Sequence, residues 1–164
     1  MRVWTRVCEL DGDLDLGSRE ESNVIDLPQT WSVPVVRADF SNDQMWQQLP
    51  AEIHRLTPEG FGADVEFVEE PALSGLGEVA IVAGYVRSYP HDYRHPVLFV
   101  VDQVTVASPE HPLLVINLNA RVDSGPFRAL PSQVQGIENN LSLANMDYVE
   151  FARAVAPDGV FRGF

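Results

Sequence analysis

Two histidines four residues apart, His91 and His95 in HDYRH, are the sharpest chemical signal in the chain. On a helix that spacing aims two imidazoles at one zinc ion. Pro90 and Pro96 bracket the stretch, and proline disfavours helix in the residue before it, so the expectation is a solvated loop with no metal site. A second mimic is DGDLDLGSREES, residues 11 to 22, whose Asp11, Asp13 and Asp15 copy the first three ligands of an EF-hand loop. Its sixth position is Leu16, where the sharp turn needs glycine, and its twelfth is Ser22, where a bidentate glutamate belongs; the reading is a solvated acidic run. Gly60 with Gly62 and Gly75 with Gly77 match neither a dinucleotide fingerprint nor a phosphate loop, so no cofactor is expected. Cys8 is alone and has no basic neighbour to activate it as a nucleophile.

The constellation with most chemical content is spread along the chain. Asp39, Asp102 and Asn117 or Asn119 follow apolar runs, and if those runs are parallel strands their polar ends gather at the carboxyl edge of a sheet, where open α/β folds place ligands. With His111, Asp39 and Asp102 would serve as acid-base candidates or assist metal-dependent hydrolysis, and Arg128 and Glu138 could lie nearby as ligand-binding groups. The plainer reading is that an aspartate at a strand end accepts hydrogen bonds from the next turn and caps the next helix. Asn139 and Asn140, in IENNLSLANMDYVEF, pose the same choice. They and Glu138 could line a cleft between the last two helices, or the amides could simply stop a helix. His54 and His111 otherwise read as surface residues.

The elements that must position these residues are legible from period and punctuation. VPVVRADF (33–40), VLFVVD (97–102) and LLVINLN (113–119) read as strands, the last two buried on both faces as the centre of a sheet. ADVEFVEEP reads as a half-exposed strand, and FRALP (127–131) as an edge strand through which a homodimer could form. Ser41 with Gln44 suggests a capping box for a helix carrying Met45, Trp46, Leu49, Ile53 and Leu56 on one face, which Pro50 would break or kink unless the segment is two short helices with Leu49 ending the first. EVAIVAGYV (78–86) is ambiguous between strand and helix. Tyr148, Phe151, Ala152 and Val155 mark a final helix with Asn145 or Asp147 at its cap, Asn145 being preferred. The fold class is therefore α/β or α+β, a single domain with a mixed central sheet over residues 31–164, preceded by an acidic arm over residues 1–30.

Charge narrows the functions. The 164 residues carry a formal net charge of −13, which opposes nucleic acid and anionic membrane surfaces. All eleven basic residues are arginine, so Schiff-base chemistry and the lysine of a phosphate loop are excluded. No stretch has the apolar length of a membrane span and the amino terminus lacks a secretory core, so the expected location is cytoplasmic.

ENNLSLANMDYVEFARAVAPDGVFRGF (138–164), VRADFSNDQMW (36–46) and LFVVDQVTVASPEHPLLVINL (98–118) together resemble a family of small actinobacterial proteins grouped as a domain of unknown function, DUF6924. The resemblance covers residues 31–164 and implies no activity, cofactor or catalytic residue. The residues themselves favour a non-catalytic acidic binding protein, an accessory or immunity-type factor that meets a basic protein partner. The alternative is a small enzyme using carboxylates at the sheet edge.

Overall fold

A computed structural model describes residues 24–164. The readings of Cys8 and of the EF-hand-like run fall outside them. β1 (Val33–Arg37), β3 (Val97–Val101) and β4 (Leu113–Asn117) are buried from end to end, as continuous β-branched runs between polar turns require of strands covered on both faces. With β2 (Val65–Glu69), β5 (Phe127–Ala129) and β6 (Val160–Phe161) they form one six-stranded sheet in the order β2-β1-β3-β4-β5-β6. β1 is parallel to β2 and β3, β4 is antiparallel to β3 and β5, and β6 is parallel to β5. The sheet is mixed and the arrangement is a single α/β domain.

Strand alternation then divides the core. Val35, Phe99 and Val115 face α1 (Asp43–Ile53), α4 (Val134–Ser142) and α5 (Tyr148–Arg153), which contribute Leu49, Ile137 and Phe151. Val36, Leu98, Val100 and Leu114 face the other way, towards Leu73, Tyr85, Tyr93 and Ile81 of α2 (Glu78–Gly84). Ile25 and Leu27 pack on this second face, the Ile25 N–H donates to Gly84 O at 2.7 Å, and the Tyr93 hydroxyl donates to Pro28 O at 2.6 Å. The residues just before Trp31 therefore lie against the body. The short α3 (Gln103–Ala107) follows β3 directly.

Several local expectations are corrected. Asn42, not Ser41, caps α1, its side chain accepting the Met45 N–H at 3.0 Å, because Ser41 already donates its N–H and hydroxyl to Asp39 Oδ1. Pro50 does not split the helix: its carbonyl accepts the His54 N–H at 2.9 Å, while Met45, Leu49 and Ile53 keep one buried stripe. The missing proline N–H is outweighed by that packing. The ambiguous run is helix α2, anchored by little more than Ile81 and Gly84. Asp147, not Asn145, precedes α5, and the Glu150 side chain reaches back to accept its N–H at 2.7 Å. Asn145 is occupied in ending α4, its N–H donating to Asn140 O at 2.9 Å. Residues 127–131 are not an edge, because β6 pairs alongside β5; a two-residue strand after a Pro-Asp-Gly turn is too short to leave a periodic signal. Dimerisation through that segment thus loses its open strand, and the edges among the described residues are β2 and β6.

Candidate functional site

At the ends of its strands the sheet has a carboxyl edge and an amino edge, named for β1 and β3, and the two are chemically opposite. Where β1 and β3 end and β4 begins stand Asp39, Asp102 and His111, as the parallel pairing of β1 with β3 requires. Asp39 and Asp102 share a cleft of about 260 Å³ with Ala38, Gly75, Leu76 and Gln103. Asp102 is only 3% exposed. It caps α3 by accepting the Thr105 N–H at 3.0 Å, and Arg128, reaching over from β5, donates to both its oxygens at 3.0 and 2.7 Å. Burial alone would push this carboxyl up, yet the hydrogen bonds from Arg128 and Thr105 hold it below the usual carboxylate range. Arg128 also donates to Glu78 at 2.6 Å and to Pro112 O at 3.3 Å, so both its terminal nitrogens are engaged. His111 Nδ1 lies 3.0 Å from Thr105 O, which only an N–H can satisfy, and Asp39 is held in its turn by Ser41.

Asn117, Asn119 and Glu138 are not at this edge. β4 runs against β3, so its carboxyl end lies at the amino ends of β1 and β3. Asn117 donates to Val122 O at 2.7 Å and accepts the Asn119 N–H at 2.9 Å. Of the α4 amides, Asn140 donates to Gly136 O at 2.7 Å and the Asn139 carbonyl accepts the Leu143 N–H at 3.0 Å. Neither asparagine lines the cleft described next.

That cleft, about 250 Å³, opens at this second edge between the amino ends of the parallel strands and α4. Glu138 forms one wall. Val134, Ile137, Glu138 and Leu141 fall on the buried stripe of α4, so helical period alone carries a carboxylate into the core, where it is 6% exposed. It accepts the Asp64 N–H and the Ser142 hydroxyl, each at 3.2 Å, and no arginine among the described residues pairs with it. Burial pushes its pKa up; the two hydrogen bonds offset part of this, and the nearby Asp64 charge adds to it. His95, also buried, points Nε2 at Thr30 O, 3.1 Å away, and burial lowers its pKa, so it stands neutral as an imidazole. Tyr89 is pinned at the rim by the Ala120 N–H donating to its carbonyl at 2.9 Å. Trp31, 85% exposed, stands beside Arg94, whose guanidinium lies 5.0 Å from the indole centroid. The Trp31 N–H donates to Glu66 Oε2 at 3.1 Å, which fixes the residue although its ring is in water.

The cleft can do recognition chemistry: hydrogen-bond acceptors at its wall, aromatic faces at its mouth and one guanidinium. Among the described residues no cluster of three or more histidine, cysteine, aspartate or glutamate side chains stands ready to hold a metal ion, and no helix is long and apolar enough to cross a membrane. His91 is exposed and His95 buried, so the HDYRH rings are not presented together. Sequence reasoning missed Trp31, Asp64, Arg94 and His95 as one group. The signal was thin, an aromatic before a strand and a histidine before a proline, and only strand register brings them to one edge.

No curated protein matches the chain. A family model described as Domain of unknown function (DUF6924) matches residues 32–164, from the start of the sheet to the last residue. The chain belongs to the DUF6924 family.

Proposed function

We propose that the protein is a non-catalytic binding protein, an accessory or immunity-type factor that receives a positively charged group of a partner protein in the cleft at Glu138. One observation carries this reading: among the described residues, Glu138 is a buried carboxylate that faces an open cleft with no cation beside it, whereas Asp102, the other buried aspartate or glutamate, has its own arginine. Leaving a carboxylate buried without a counter-charge is unfavourable, and a guanidinium or ammonium from outside would relieve that while using the free lone pairs of both oxygens. The net charge of −13 adds long-range attraction for such a partner. An acid-base role for Asp39, Asp102 and His111 has less support, since Asp102 would first have to release Arg128.

The test is calorimetric titration of the full chain with an amidated tri-arginine peptide at low salt. Binding should weaken about tenfold or more in Glu138→Gln, a loss of about 1.4 kcal/mol, and a tri-glutamine peptide should not bind. Equal binding of both peptides, or indifference to Glu138→Gln, would overturn the reading.

A further inference from the structure

Arg94 is out of character with its surroundings. Arg37, Arg87, Arg128 and Arg162 each form an ion pair, in a chain with more than twice as many acids as arginines. Arg94 lines the Glu138 cleft, and its side chain donates to no carboxylate or carbonyl among the described residues. Arg55, Arg121 and Arg153 form no ion pair among the described residues either, but none of them lines this cleft. What stands against Arg94 is the Trp31 ring, over which its guanidinium carbon lies 5.0 Å from the centroid, a contact that uses no N–H donor.

We propose that Arg94 is a carboxylate-binding arm, so that the cleft takes a basic amino-acid unit bearing a free carboxylate: the cationic side chain meets Glu138 and the carboxylate meets Arg94. The proposal rests on the cation reading of Glu138 and adds a second pole to it. A purely cationic ligand would satisfy Glu138 but meet Arg94 as a like charge, whereas a unit with both charges meets each with its opposite. The guanidinium fork suits a carboxylate, which it can bind through two parallel N–H donors. Size agrees, since about 250 Å³ is below the roughly 300–1,000 Å³ usual for cofactor-sized ligands and suits one residue. Free arginine and the carboxyl-terminal arginine of a peptide share this chemistry.

Calorimetry on the full chain separates the possibilities. L-arginine and the peptide Gly-Gly-Arg are compared with agmatine, which lacks the carboxylate, and with amidated Gly-Gly-Arg. At least one carboxylate-bearing ligand should bind ten or more times tighter than its carboxylate-free counterpart; the tighter of the two names the source. Arg94→Ala should reduce it to the level of that counterpart, and Glu138→Gln should weaken all four. Arg94 is exposed and outside the core, so its variant should fold normally, which thermal unfolding verifies. If agmatine matches arginine and the amide matches the free peptide, Arg94 is no carboxylate arm although the cation reading survives. If none of the four binds, both fall.

Discussion

Asp102 and Glu138 are both carboxylates, both nearly inaccessible and both near an end of the same sheet, yet they have opposite electrostatic fates. Asp102 is enclosed by Arg128 and the first turn of α3, and its charge is matched inside the molecule. Glu138 has two hydrogen bonds, a neighbouring acid and, among the described residues, no cation. One edge is finished as structure, and the other is left with a demand that an external group can meet. Burial of a charge by itself does not mark a functional site; the proposal for Glu138 rests on burial of an unmatched charge at an open cleft.

The largest test of this contrast is at the finished edge. Arg128→Ala leaves Asp102 buried and uncompensated, and should cost about 3–5 kcal/mol in urea unfolding. Replacing Asp102 and Arg128 together with Leu and Met should recover part of that loss, because a buried pair and an apolar pair of similar volume are often nearly equivalent. Asp102 also sets an acid limit. Its folded pKa is depressed, so its contribution is present above the ordinary aspartate range and is lost as pH falls through the depressed value. A wild-type protein indifferent to Arg128→Ala would erase the distinction between the edges.

That contrast was only half visible in the sequence. The central strands were legible because VLFVV and LLVIN are too apolar to be anything but covered on both faces, and Asp102 was legible as a strand-end acid. The direction of β4 was not, since hydrophobic period is the same for parallel and antiparallel strands; direction decides that Asn117 lies with Glu138 rather than with Asp102. Arg128 was identified as a ligand-binding candidate, but its partners Asp102 and Glu78 are 26 and 50 residues away, beyond any local rule. The α4 stripe that buries Glu138 was readable in principle from Val134, Ile137 and Leu141, while Gly136 and the paired asparagines made the segment look like a weak helix before a turn.

At the unfinished edge the expected effect is smaller and opposite in sign. Glu138→Gln keeps an oxygen for the Asp64 N–H and can still meet Ser142, while removing the charge. The folded pKa of Glu138 is raised, so its protonated form is favoured by folding; that advantage is full below the ordinary glutamate range and is lost as pH rises through the folded value. The variant should therefore be more stable than wild type at pH 8, by about 1 kcal/mol or 2–4 °C in Tm, with the gap closing near pH 4. His95 works against wild type and variant alike. Its lowered pKa means a contribution present above the ordinary histidine range and lost as pH falls through the folded value. Glu138→Gln less stable than wild type at pH 8 would show the carboxylate to be internally satisfied, and the contrast with Asp102 would fail.

The smallest expected effect is on stability at the mouth of the cleft, and its smallness is the point. Trp31→Ala removes a ring that is 85% exposed, so thermal unfolding should change by less than about 0.5 kcal/mol. The Glu66 contact survives, because it is made by the Trp31 backbone N–H. The ring lies against the Arg94 guanidinium, and without it that group must be ordered by the ligand at the ligand's expense. Arginine affinity should then fall several-fold while cation-only ligands, which do not use Arg94, bind as before. A large loss of stability in Trp31→Ala would mean that the indole supports the fold, and the two edges would then both be structure.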